Sequence, residues 1–206
     1  MTKEKQWYNE AERYLIQNWP MACLMEEAMQ DVRKKYVAVF DRVVETVRKN
    51  HEDFDDYSNR MTYANEDGFV LLTKSAWREK QKWPPPGLWI ENLRPELLFD
   101  TDGPVPYAGI WVPAKKTGVD SRKARKAIVG AALHCLSEDE QARCLKQPED
   151  EDYLLCYDLP EERDRLLQML LEGDAQSFVD CMVGHLDLLA RFTPVVDKLL
   201  GVAPGG

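Results

Sequence analysis

The sequence predicts an α+β fold: a helical N-terminal hairpin with one long helix, a small mostly antiparallel sheet of three to five strands, and C-terminal helices packed on it. Three observations predict this. Residues 1–50 show apolar positions recurring every three or four residues, the helical period. Residues 62–113 hold short apolar runs separated by proline and glycine, which read as strands and tight connections. Residues 120–200 return to helical spacing with clear capping signals. No internal repeat or composition shift marks a boundary, so a single domain over 1–206 is expected, with 202–206 as a frayed tail.

Taken in order, Glu4 to Asn18 reads as a first helix carrying Trp7, Tyr14 and Leu15. Trp19-Pro20 breaks it, and Pro20 suits the first turn of the next helix, where its missing N–H costs nothing. From Pro20 to Lys49, Met21, Met25, Ala28, Val32, Tyr36, Val39, Val43 and Val47 fall on one stripe that is expected to pack on the core. At 1.5 Å per residue that helix is roughly 45 Å long. His51 to Arg60 is acidic and polar and reads as a loop. Gly68-Phe-Val-Leu-Leu-Thr73 suits a buried strand, and Trp83-Pro-Pro-Pro-Gly87 a stiff connector. Leu88 to Leu93, Glu96 to Phe99 and Tyr107 to Val112 are further strand candidates, antiparallel given the short connections.

Asp120 or Ser121 caps a helix to about Leu136, and Ser137-Glu-Asp-Glu140 is a capping box for another. Tyr153 to Tyr157 reads as a strand. Pro160 opens a helix that ends near Gly173. Asp174 starts the last helix, with Phe178, Met182, His185, Leu189 and Phe192 on one face and Pro194 kinking or ending it.

Composition narrows the function classes. The chain carries a net charge of −9 with 44% hydrophobic residues, a globular and acidic balance. No apolar run approaches bilayer length, and the charged N-terminus lacks a secretory signal, so no membrane contact and a cytoplasmic location are expected. The five cysteines are odd in number and scattered, which suits a reducing compartment.

Against that acidic background, residues 115–126 are basic. Lys115, Lys116, Arg122, Lys123, Arg125 and Lys126 are opposed there only by Asp120. No other Lys, Arg, Asp or Glu lies between Gly103 and Ser137, so that stretch carries +5 and the remainder −14. Four of the cations fall in the first turns of a helix, where the macrodipole already presents positive charge. Local stability disfavours them there, which points to an anionic partner. On helical geometry Ser121, Ala124, Ile128, Ala131 and Cys135 form the core stripe, so Arg122 and Lys126 point to solvent. The competing reading is that the cations meet the acidic segments 138–140 and 149–152, or are merely hydrated.

Catalytic signatures are incomplete. Metal-dependent nucleases of the restriction-enzyme type place acids on strands with one acid two residues before a lysine. Asp100, Asp102 and Lys115 approximate that order, but the position two before Lys115 is Pro113, which cannot bind a metal. His134, Cys135, Cys144 and Cys156 lack the close pairing of structural zinc ligands. The aromatic residues Trp77, Trp83, Trp89, Tyr107 and Trp111 read as sheet core, with base stacking or a protein contact as the alternative. The sequence therefore predicts a non-enzymatic binding or regulatory protein without a cofactor, contacting a nucleic acid or acidic protein surface through its basic helix start. The alternative is a nucleic-acid-processing protein of degenerate nuclease type. A third reading, an acidic protein competing with nucleic acid, requires acids clustered on one face.

Overall fold

The structure is a computed structural model that describes residues 9–60, 68–82, 84–93, 103–145 and 152–203. Chain contacts divide it into two compact units, Met1–Ala38 and Val39–Gly206.

In the first unit, helix α1 spans Glu10–Gln17. It starts at a capping box: the Asn9 side chain accepts from the Glu12 N–H at 2.9 Å, and the Glu12 carboxylate accepts from the Asn9 N–H at 2.6 Å. Helix α2 runs unbroken over Trp19–Asn50 and crosses from the first unit into the second, close to the predicted bounds. Its apolar stripe behaves differently along its length. Tyr36, Phe40, Val43, Val44 and Val47 are buried, whereas Met21, Met25 and Val32 are each more than half exposed. The expectation that the whole stripe packs on the core is thus corrected for its first three turns. Periodicity reports an apolar face, not what covers it.

In the second unit, five strands form one sheet in sequence order: β1 (Asp56–Arg60), β2 (Phe69–Thr73), β3 (Gly87–Glu91), β4 (Tyr107–Trp111) and β5 (Tyr153–Asp158). Each pairs antiparallel with the next. Strand β1 corrects the expected loop at His51–Arg60; its pairing with β2 uses backbone groups, which a polar sequence supplies as well as an apolar one. The candidate strand Glu96–Phe99 and Trp83 lie outside the described residues.

Register sorts the side chains into two faces. Leu71 opposes Trp89, Trp89 opposes Gly109, and Gly109 opposes Cys156, so the residues between them line the other face. That other face holds Val70, Leu88, Ile90, Ala108, Ile110 and Leu155, all essentially inaccessible. Removing one such valine, leucine or isoleucine side chain from water stabilises the fold by about 1.5–3 kcal/mol.

Helices cover it. Helix α8 (Ala175–Ala190) contacts β3 and β4 and sets His185 Nδ1 3.0 Å from the Tyr157 hydroxyl. His185 is buried, as its place on the apolar stripe predicts. Phe178 of the same helix meets Phe40 of α2 edge to face at 5.3 Å. Helix α5 (Ser121–Cys135) packs on β5, and helix α6 (Glu138–Cys144) places Arg143 over the Tyr157 ring.

The remaining helices are α3 (Ser75–Lys80), α4 (Ala114–Thr117), α7 (Pro160–Glu172) and α9 (Thr193–Leu200). Pro194 lies in the first turn of α9 and so starts a helix of its own. One buried joint ties α9 to the sheet. Lys74, just after β2, lies 2.9 Å from the Asp197 carboxylate, whose other oxygen accepts from the Trp77 indole at 2.6 Å.

Candidate anion-contact surface

The basic stretch is held by the end of β4. After Trp111 the Val112 N–H donates to the Asp152 carbonyl at 2.8 Å, and the Ala114 N–H to the Asp152 carboxylate at 3.0 Å. Asp152 thereby fixes the start of α4, which carries Lys115 and Lys116. Gly118 ends that turn at φ +73°, a conformation that only glycine adopts without strain. Asp120 then caps α5, its side chain accepting from the Lys123 N–H at 3.0 Å. That N–H, together with the charges of Lys123 and Arg122, holds the Asp120 carboxyl below the usual carboxylate value.

The cap changes the physical basis of the site. An anion at a helix start normally meets unsatisfied N–H groups, but here Asp120 already accepts one of them. Attraction for an outside anion rests on the side chains instead. Lys115, Lys116, Arg122, Lys123 and Lys126 are exposed, and Arg125 is half-buried. Lys123 Nζ is 3.8 Å from Asp120 in an exposed pair, a contact of small energy. Arg125 is committed inside the fold, donating to the Tyr153 carbonyl at 3.0 Å. Among the described residues, no acid lies within ion-pair distance of Lys115, Lys116, Arg122 or Lys126, although the Arg122 charge acts on Asp120 from farther off.

The helix face is rotated from the predicted one. Ala124, Ile128 and Ala132 are buried, Ala131 is half-buried and Cys135 is exposed, a drift of one residue that follows the four-residue step. Arg122 and Lys126 still face solvent. Of the acids proposed to neutralise them, Glu140 and Asp152 are engaged elsewhere. Glu140 accepts from the Ser137 N–H at 2.7 Å and lies 3.4 Å from Arg191, and its carboxyl is held low mainly by that N–H. Residues 149–151 lie outside the described residues.

Asp100 and Asp102 also lie outside the described residues. Lys115 is exposed on α4, and Pro113 is the buried residue that precedes that helix. Among the described residues, no group of three or more His, Cys, Asp or Glu is placed to hold a metal ion. All five cysteines are free thiols, and burial pushes Cys144 up to about 11.

Sequence reasoning missed a polar cluster on the sheet face opposite α8. The hydroxyls of Tyr107 and Tyr153 donate to the two carboxylate oxygens of Glu91, each at 2.5 Å. Both tyrosines are pushed far above their ordinary value, by burial first and by the neighbouring Glu91 charge. Phe69, Leu71 and Trp89 pack beside this cluster with Trp111 at the edge. Trp77 is fully buried elsewhere, under Asp197. Alternation along β3 and β4 places Trp89, Glu91, Tyr107 and Trp111 on one face, which was readable. Only the register of β4 with β5 brings in Tyr153.

No helix among the described residues is long and apolar enough to cross a membrane. Comparison with protein-family models, with curated proteins and with solved structures finds no match for this chain.

Proposed function

We propose that the protein acts by binding, and that the ridge formed by Lys115, Lys116, Arg122, Lys123 and Lys126 receives an anionic surface of a nucleic acid or an acidic protein. One observation carries this reading. Lys115, Lys116, Arg122 and Lys126 are exposed within twelve residues of each other with no acid at ion-pair distance among the described residues, in a chain of net charge −9. Like charges held together at a surface repel one another, so the ridge gains from any anion that fits it. Asp152 and Asp120 hold the two helix starts that carry the cations. Preorganised charges of this kind favour encounter with an oppositely charged partner.

The test is affinity of the full chain for two probes, a labelled duplex DNA and a poly-glutamate peptide. Binding to at least one of them, weakened more than about tenfold in Arg122→Glu/Lys126→Glu, is the expected result; such a weakening corresponds to at least about 1.4 kcal/mol. A phosphate partner further requires a shallower slope of log affinity against log salt in the variant, by roughly 0.9 for each cation withdrawn from a phosphate. Equal binding by wild type and variant, or binding of neither probe, refutes the proposal.

A further inference from the structure

The basic ridge is short, and acids stand at both of its ends. At the first end Asp152 is fixed against α4, its carboxylate accepting from the Ala114 N–H at 3.0 Å. Asp152 closes the sequence run Glu149-Asp-Glu-Asp152. At the second end, past the last turn of α5, Glu138, Asp139 and Glu140 form the first turn of α6. Glu138 and Asp139 are exposed. Helix α5 has 15 residues, so these acids follow the cations by roughly 20 Å at 1.5 Å per residue.

We infer that, given the ridge as the anion site proposed above, its occupant is a short acidic segment of a partner protein and not a nucleic acid. Charge density is the first reason. A duplex carries one charge for each 1.7 Å of its axis, so it sets about twelve phosphates within 20 Å. The ridge offers five exposed cations, Lys115, Lys116, Arg122, Lys123 and Lys126. The remaining phosphates pass over a protein that carries −14 outside residues 103–137. Salt screens those acids only beyond about 8 Å, so the ones beneath the duplex repel it. An extended peptide of six acidic residues covers about 20 Å at roughly 3.3 Å per residue, and it can end where the cations end.

The lack of a stacking surface is the second reason. A single strand has about half the charge density of a duplex, but its affinity draws on bases stacked on aromatic rings. Among the described residues of 39–206, no Trp, Tyr or Phe is exposed. Trp111, four residues before Lys115, is half-buried, with its ring 5.9 Å from that of Trp89. Carboxylates need no such platform. They need only the side-chain cations, which already stand clear of the surface.

The test compares three labelled probes on the full chain in one buffer of physiological salt, by fluorescence anisotropy. The probes are hexaglutamate, a duplex DNA of about 20 base pairs, and one of its single strands. Hexaglutamate should bind more tightly than either nucleic acid by at least about tenfold, and Arg122→Glu/Lys126→Glu should weaken it by a similar factor. A nucleic acid bound within that factor of hexaglutamate, or more tightly, overturns the inference. If the variant loses that nucleic-acid binding, the ridge still stands as an anion site. Failure of all three probes to bind, or binding that the variant retains in full, overturns the ridge and the inference together.

Discussion

At the scale of single residues, the clearest determinant of stability is the pair Lys74 and Asp197. Their side chains are 8% and 11% exposed, and they lie 2.9 Å apart with the Trp77 N–H on the second oxygen. Asp197→Ala leaves the Trp77 indole N–H without its acceptor and the buried Lys74 ammonium with only the exposed Asp53 carboxylate at 3.6 Å, so it should lower stability by about 3–5 kcal/mol in denaturant titration. Gly109→Ala tests the packing of the opposite face. Its Cβ would lie 2.7 Å from the Leu155 carbonyl oxygen and 2.8 Å from the Tyr153 ring, so the midpoint must fall.

Asp120 gives a pH test. Its carboxyl is held below the usual value in the folded chain, so its contribution is present above the unfolded value near 3.8 and is lost as pH falls through the folded one. Asp120→Ala should therefore destabilise the protein at neutral pH, with the difference from wild type closing in acid below that range. Such local chemistry was legible, because the caps at Asp120 and Ser137 act within three residues. The 74–197 pair was not, because nothing in the spacing of residues 123 apart indicates their contact.

At the scale of elements, α2 shows both what periodicity reveals and what it hides. Its bounds and its apolar face were readable from the three- and four-residue steps. The burial of that face was not, since an apolar stripe looks the same under a core and in the open. Val43 is fully buried and Val32 is 55% exposed. Val43→Ala should accordingly cost about 1–3 kcal/mol, and Val32→Ala less than about 0.5 kcal/mol, by denaturant midpoint. Strand β1 was hidden for a different reason. Its acidic and polar composition matches a loop, while its backbone satisfies the edge of the sheet against β2. The Glu91 cluster falls between these cases: two of its members were readable by alternation along their strands, and Tyr153 depends on a pairing between distant segments.

At the scale of the whole molecule, the organising fact is charge asymmetry, +5 over residues 103–137 within a net −9. The cations themselves were legible at once; their surroundings were not. The described structure directs Glu140 to Arg191 and Asp152 to the Ala114 N–H, and Arg125 to the Tyr153 carbonyl. Arg122 and Lys126 are left facing solvent. Binding through this ridge requires that these cations be held for an outside anion and not consumed within the chain. The unfolding midpoint of Arg122→Glu/Lys126→Glu in low salt separates those two states by sign. An acid near the start of α5 interacts favourably with the helix dipole, so stability should be unchanged or raised by up to about 1 kcal/mol. A midpoint that falls well below wild type would show the two cations to be neutralised by the protein's own acids and would rule out their being held for an outside anion.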